Sequence, residues 1–218
     1  MEPNRRPKTE RPRRAHDFRK PIEPIGGPKR PIGNQMNRQE RATDELLVLR
    51  CQEGDAGAFD ELIGRWQERL WRHAWRLTGS RDVAWDVLQE TWINISRDIR
   101  GLKDAAAFPA WAYRITSNRC HDWNRKECRR RRADEAYAEQ TDRVENESRD
   151  IVRRSADLDE ALSRLPRRDR AILSLRYEDE FGVVEIAQIL QIPPGTVKSR
   201  LHYARERLRH YFEEPRDE

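Results

Sequence analysis

Val183-Val184-Glu185-Ile186-Ala187-Gln188-Ile189-Leu190, then Gln191-Ile192-Pro193-Pro194-Gly195, then Thr196-Val197-Lys198-Ser199-Arg200-Leu201-His202-Tyr203-Ala204-Arg205-Glu206-Arg207-Leu208-Arg209: this run near the end of a 218-residue chain decides how the rest is read. Apolar residues in the first segment recur at helical spacing, and small Ala187 leaves room for a second helix to approach. Proline lacks the backbone N–H and glycine permits a sharp turn, so residues 191–195 should break the helix. Thr196 is placed to cap the second helix. In that helix Val197, Leu201, Ala204 and Leu208 repeat at three and four residues and make one buried face. Lys198, Ser199, His202 and Tyr203 fall on the opposite side, near the N-terminal end that enters a major groove in this motif. The pattern is a helix-turn-helix aimed at DNA. A basic face also serves simply to be solvated, so the remainder of the chain has to decide.

Composition excludes several classes. Charged residues make up 38% of the chain and mean hydropathy is −1.07, so no segment approaches the roughly twenty apolar residues needed to cross a bilayer. The basic N-terminus is not followed by the apolar run of a secretory signal. Cys51, Cys120 and Cys128 form an odd, widely spaced set, which points to reduced thiols in a cytoplasmic protein rather than to disulfides. Cys120-His121 with Cys128 lacks a second ligand pair, so no metal or other cofactor is expected. No Gly-rich phosphate loop or activated nucleophile is apparent, and no enzyme is expected.

The net charge of +5 is segregated. Residues 1–42 hold twelve Lys/Arg against five Asp/Glu, which leaves the remainder slightly acidic. Within that remainder Arg125 to Arg132 is a basic run, and the stretch from Asp134 to Asp150 is acidic. A basic stripe beside an acidic tether suits nucleic-acid contact next to a segment that must not adhere to it.

The fold class expected is all-α, in two small helical domains. Residues 1–42, rich in Pro, Arg, Lys and Gly, are expected to be a disordered basic extension. Its roles are a nonspecific DNA-binding arm or a passive tail, and the change of text at Met36, the second methionine, also fits a translation start there. Residues 43–132 form the first domain, with helices opening at Asp44, near Ala58, at Asp82 and at Phe108, where Pro109 sits acceptably in the first turn. All seven tryptophans lie in this block, which implies an aromatic-rich core. Residues 133–157 read as a flexible acidic linker. Residues 158–213 form the second domain and end in the helix-turn-helix.

Several further stretches, taken in order, carry a resemblance. Leu47-Val48-Leu49-Arg50-Cys51-Gln52-Glu53-Gly54-Asp55 opens the first domain, and Asp82-Val83-Ala84-Trp85-Asp86-Val87-Leu88-Gln89-Glu90-Thr91-Trp92 comes after it. Phe108-Pro109-Ala110-Trp111-Ala112-Tyr113-Arg114-Ile115-Thr116-Ser117-Asn118 is next. Leu165-Pro166, Arg176-Tyr177, Glu185-Ile186-Ala187 and Gly195-Thr196-Val197-Lys198-Ser199-Arg200 complete the set. Together, from Asp44 to Phe212, the chain resembles the extracytoplasmic-function sigma factors of bacterial RNA polymerase. The resemblance implies that residues 43–132 are region 2, binding polymerase and melting the −10 element, and residues 158–213 are region 4, reading the −35 element. The partners implied are core RNA polymerase (its β and β′ subunits) and promoter DNA, with an anti-sigma protein as a further candidate and no membrane insertion.

The resemblance implies residue roles, and these have physical support. Asp82, Asp86, Gln89 and Glu90 recur at three- and four-residue steps and give one acidic face for a basic helical surface of the polymerase largest subunit; Val83, Val87, Thr91 and Ile95 are left for the core. In the next helix Asn118 occupies the family's base-pocket position, where its amide can pair with an extruded base. Arg114, Arg119 and Arg125 suit backbone phosphates, and Asp122 lies on the same polar stripe. Trp111 and Trp123 are candidates for base stacking or for core. For the −35 element the base-reading positions are Lys198, Ser199, His202 and Tyr203, with Arg200 and Arg205 toward phosphates. Tyr203 stands where many relatives carry a basic residue. The acidic linker resembles the segment that threads the cation-lined RNA exit path. The alternative is a stand-alone helix-turn-helix regulator binding duplex DNA as a dimer, which has no reason to carry the 82–92 helix or the 108–118 segment.

Overall fold

The computed structural model describes residues 38–135 and 156–213. The N-terminal arm up to residue 37 and the linker between 136 and 155 lie outside the described residues. Among these the secondary structure is helical, in the order α1 (Arg38–Gln52), α2 (Ala56–Thr78), α3 (Arg81–Asp98), α4 (Phe108–Glu135), α5 (Ala156–Ser163), α6 (Arg167–Tyr177), α7 (Val183–Leu190) and α8 (Pro194–Glu213). Two short 3-10 turns, Ile99–Gly101 and Ala105–Ala107, connect α3 to α4. Among the described residues no helix is long and apolar enough to cross a membrane.

Capping chemistry sets the helix boundaries. Asp55 accepts the amide of Ala58 at 3.2 Å and starts α2. Gly79, at φ +77°, ends it in the left-handed region that a side chain would strain. Ser80 caps α3 through the amide of Val83. Two expected boundaries move. Helix α1 begins at Arg38 rather than Asp44. Residues 38–43 carry no apolar periodicity to announce this. The extension is tied from outside by Arg65 of α2, which donates to the Glu40 carbonyl at 3.3 Å and to the Asp44 carboxylate at 2.6 Å. Helix α8 begins at Pro194, so Thr196 lies inside its first turn and does not cap it. Proline fits that place because its missing N–H would have no helical partner there. The reversal between α7 and α8 is made by Gln191, at φ +53°.

The four N-terminal helices bundle around Trp66, Trp92, Phe108 and Tyr113, all at most 2% exposed. Their rings meet edge to face: Trp66–Phe108 at 5.6 Å, and Phe59–Trp92 at 5.9 Å. The aromatic block is less uniformly buried than the sequence implies. Trp71, Trp75 and Trp85 are half-buried where α2 meets α3: Trp71 stacks on Trp75 at 5.7 Å and meets Trp85 at a tilt at 5.6 Å. In the second unit, Ile172, Leu175, Ile186, Ile189, Val197, Leu201 and Ala204 close a small core between α6, α7 and α8. Leu208, expected on the same buried face, is only partly buried.

The two units are not separate beads. Helix α6 lies against α2 and α7 against α4, and their apolar residues join one continuous core. The Phe181 ring meets Tyr113 at 5.3 Å, and Ala171 packs with Ala74, Leu77 and Cys120.

Beneath this seam lies His73 of α2, 1% exposed. Ser117 Oγ donates to the Tyr113 carbonyl at 2.9 Å, so at 2.8 Å it must accept from His73 Nε2. Nδ1 is then a buried acceptor without a partner among the described residues. Burial first, and the nearby Arg76 and His121 after it, pull the His73 pKa down to about 3. Because the folded value lies below that of the unfolded chain, the unfolded state takes up a proton that the folded state refuses. Stability held above pH 6.5 is therefore lost as pH falls from 6.5 toward 3, amounting to about 2 kcal/mol at pH 5. The buried carboxyls of Asp44 and Asp179 are shifted upward and work in the opposite sense. Urea unfolding at pH 7 and pH 5 for wild type and His73→Gln isolates the histidine: the wild type should lose about 2 kcal/mol more across this interval than the variant. Equal losses would show that His73 is not held neutral.

Candidate functional site

Helix α3 turns Ala84, Val87, Leu88, Thr91, Trp92 and Ile95 inward, each at most 3% exposed, and Val83 is partly buried beside them. The remaining positions must face out. Asp82, Asp86, Gln89 and Glu90 are all exposed on that outward face. Neither Asp86 nor Gln89 has an ion pair or side-chain hydrogen bond among the described residues. Asp82 and Asp86 therefore offer carboxylates with no ion pair among the described residues, whereas Glu90 leans toward Arg119 of α4. Ile93 on the same helix is 41% exposed, so an apolar side chain accompanies the charge.

On α4, Ala112, Tyr113, Thr116, Ser117 and Cys120 face the core. Trp111, Ile115, Asn118 and Asp122 are half-buried along the groove-side stripe, while Arg114 and Arg125 are exposed. Thr116 and Ser117 return their hydroxyls to carbonyls one turn back, at 2.9 Å each, so they spend no polar capacity on the stripe. The Asn118 amide has no partner among the described residues, which leaves both its donor and its acceptor available. Arg119 sits 4.0 Å from Glu90 of α3 and 4.0 Å from Asp122, so the acidic face of α3 and the polar stripe of α4 meet at this residue. Its guanidinium is shared between carboxylates of two helices, whereas Arg125 pairs within its own helix, 3.5 Å from Asp122.

Where α3 runs into α4, Arg97, Asp98, Gly101, Leu102, Lys103 and Trp111 line an open cleft of about 470 Å³. Gln52 of α1 ties down the turn that carries Leu102 by donating to the carbonyls of Ile99 and Leu102, at 3.0 and 2.8 Å. Trp111 lies two turns before Asn118, about 10.5 Å along the helix. Trp111 both lines the cleft and packs, partly buried, against the core, with the Phe108 ring 6.2 Å away.

On α8 the sequence-derived split holds in space. Val197, Leu201 and Ala204 are at most 5% exposed, whereas Lys198, Ser199, His202, Tyr203 and Arg205 are exposed and Arg200 is half-buried. Tyr203 is 62% exposed, with the His202 ring 5.6 Å away. Ser199 donates its hydroxyl to the Thr196 carbonyl, and Arg205 Nε donates to the Leu201 carbonyl at 3.0 Å. Arg207 pairs with Asp169 of α6 at 3.1 Å, which fixes the orientation of α8 against its own domain.

Sequence reasoning missed two groups. The cleft residues Arg97, Asp98 and Lys103 come from a helix end and a turn, where periodicity is silent. The seam residues Arg76, Thr78, Tyr113, Arg167, Glu178 and Asp179 pair across 66 to 102 positions of sequence, so no local pattern could join them.

Comparison with known proteins adds three findings. Residues 62–132 match the family model described as Sigma-70 region 2, and residues 155–208 match that described as Sigma-70, region 4. The chain is 31% identical over 180 residues to the ECF RNA polymerase sigma-E factor of Haemophilus influenzae, across 78% of this chain and 95% of that protein. It is 32% identical over 186 residues to the Escherichia coli (strain K12) protein of the same description, across 78% and 94%. The fold is similar to that of the sigma factor RpoE from Bartonella quintana, solved with the anti-sigma factor NepR. That likeness has a TM-score of 0.56 at 22% identity and covers 72% of this chain and 98% of that one.

Proposed function

This chain belongs to the extracytoplasmic-function branch of the sigma-70 family, and from that premise we propose how its helices divide the work. The protein binds core RNA polymerase and directs promoter-specific transcription initiation, acting as a DNA-binding specificity factor in the cytoplasm and not as a catalyst. Residues 43–132 act as region 2 and residues 158–213 as region 4. Asp82, Asp86, Gln89 and Glu90 form the polymerase contact. The carboxylates of Asp82 and Asp86 match a basic helical partner, and exposed Ile93 on the same helix supplies apolar area.

Asn118 is assigned to the extruded base of the −10 element, with Arg114 and Arg125 on the adjacent phosphates. Arg119 and Asp122 hold each other and Glu90, so their part is to set the stripe's geometry as much as to touch DNA. Lys198, Ser199, His202 and Tyr203 read the −35 element in the major groove, with Arg200 and Arg205 on phosphates. The observation that carries this reading is that the acidic face of α3 and the polar stripe of α4 converge at Arg119 in a chain that also presents an outward α8. A stand-alone helix-turn-helix regulator needs only the last of these. Run-off transcription with purified core polymerase and a promoter library tests the proposal: promoter-selective transcripts dependent on the added chain are expected. DNA binding without any dependence of transcription on the chain would favour the regulator.

The −35 assignment carries its own prediction. Lys198→Ala and Tyr203→Ala should change preference at single base pairs by about 2 kcal/mol, roughly 30-fold, because each side chain is exposed and makes no side-chain hydrogen bond or ion pair among the described residues. Arg205→Ala should weaken all sequences alike and lower the salt slope of binding by about one. Binding measured across a panel of −35 variants at several salt concentrations checks both. A uniform loss for all three substitutions would remove the base-reading role.

A further inference from the structure

Helix α1 carries an outward ridge that stays exposed among the described residues. Asp44, Leu47, Val48 and Cys51 turn to the core, each at most 6% exposed. On the opposite side Ala42, Leu46, Leu49 and Glu53 recur at four- and three-residue steps and are all exposed. Leu46 is 56% and Leu49 49% exposed, so two large apolar side chains sit one turn apart in water. Their surroundings are acidic. Glu45, Glu53 and Glu61 make no ion pair among the described residues, and Glu61, near the start of α2, lies close enough to Arg50 to act on its charge. Arg50 itself is held by Asp55 at 2.7 Å. Residues 38–61 together carry seven Asp/Glu against three Lys/Arg.

Charge and area select the occupant. DNA is repelled by this acidic end of the bundle. A second copy would bring the same acidic surface, and two leucines fall far short of the roughly 800 Å² per partner that a stable pair buries. The chain's own N-terminal arm has the opposite character. Residues 1–37 carry ten Lys/Arg against four Asp/Glu, with Phe18, Ile22, Ile25 and Ile32 spaced among them. The arm joins α1 directly at Arg38. Leu46 lies eight residues further on, about 12 Å along the helix. The six residues from Ile32 to Arg38 span about 20 Å when extended, enough to come back to it. Gly33-Asn34 supply turn-forming residues for the reversal this needs. A tether this short gives an effective concentration of about millimolar, so even a weak contact is populated and a basic partner in trans must compete with it. We infer that the α1 ridge at Leu46 and Leu49 is the docking surface for the chain's own arm. Ile22, Ile25 and Ile32 lie against the leucines, and the arm's cations lie against Glu45, Glu53 and Glu61. The arm thereby has a seat on the protein itself, in place of a DNA-binding or a passive role. This inference draws only on α1, the start of α2 and the arm, and does not rest on the sigma-factor reading.

The test uses the full chain with a nitroxide attached at Pro28→Cys, between Ile25 and Ile32. Exposed Cys128 is changed to Ser, and Cys51 and Cys120 are buried and escape labelling. Paramagnetic broadening of amide signals then reports which residues the arm visits. Docking should cost the amides of residues 42–53 about half their intensity or more, because the tethered contact is mostly formed. Ile22→Ser, Ile25→Ser and Ile32→Ser together should restore those signals, and these changes leave the helical bundle itself unaltered. Leu46→Ser with Leu49→Ser should restore them equally, with little change in melting temperature because both leucines are exposed. Raising the salt to about 0.5 M should restore them in part, since the charge contribution is screened. Broadening that fades smoothly away from Arg38 and is the same in all variants marks a tether with no docking surface, and overturns the inference. So does equal broadening of an isotope-enriched, unlabelled chain mixed with the labelled one, which would give the ridge to a second copy. Neither result bears on the polymerase and promoter assignments, which run-off transcription decides separately.

Discussion

Asn118→Ala is expected to lower transcription from a fully duplex promoter about 100-fold, and to change it less than about threefold on a template already opened over the −10 element. The amide has no partner within the described residues, so its loss orphans no buried group. The fold should keep its stability within about 0.5 kcal/mol, as for substitutions away from packing and hydrogen-bond networks. The variant loses the hydrogen bonding that offsets the few kcal/mol needed to unstack a base. At roughly 1.4 kcal/mol per factor of ten, a loss near 3 kcal/mol gives a decrease of this size. Pre-opening the template removes the unstacking step, and the penalty goes with it. Melting temperature together with activity on both templates separates this from a structural role. Equal losses on the two templates, or a drop in melting temperature of many degrees, would show that Asn118 serves the bundle and not the DNA.

Asp86→Arg combined with Gln89→Ala should reduce affinity for core polymerase about 100-fold, with circular dichroism and the melting temperature essentially unchanged. Both side chains stand on the exposed face of α3 and take part in no ion pair or hydrogen bond among the described residues, so the monomer gives up nothing when they change. Reversing a charge opposite a basic partner both removes an attraction and adds a repulsion, and close interfacial charge pairs are worth about 1.5–7 kcal/mol. Competition against a second specificity factor for a limiting amount of core polymerase measures the loss. Affinity within about twofold of wild type would place the polymerase contact elsewhere, with exposed Ile93 of the same helix as the next side chain to alter.

How much of the molecule was legible in the sequence depends on the range of the forces involved. The faces of α3 and α8 were legible because helical periodicity is local. Val87, Thr91 and Ile95, or Val197, Leu201 and Ala204, must share a side whatever they pack against, and the polar residues between them must then face outward. The end of α2 at Gly79 was equally local. The start of α1 was not, because Arg38 to Thr43 have no apolar spacing, and Arg65 from the next helix reaches back to the Glu40 carbonyl. Nor was the start of α8: two consecutive prolines mark a break, but whether the second ends a turn or begins a helix depends on Gln191 adopting a left-handed backbone.

From residue order alone it was settled that this chain is helical, that it carries three outward faces of distinct chemistry, and which residues lie on each. Those are properties of spacing and charge, fixed once the backbone is helical. It took the packed molecule to bring the α3 and α4 faces together at Arg119, to place Arg97, Lys103 and Trp111 around one cleft, and to close α6 and α7 onto α2 and α4 through Arg76, Tyr113 and Arg167. Hydrogen bonds and ring contacts between residues 66 to 102 positions apart depend on how helices pack in three dimensions, and a linear pattern does not encode that packing.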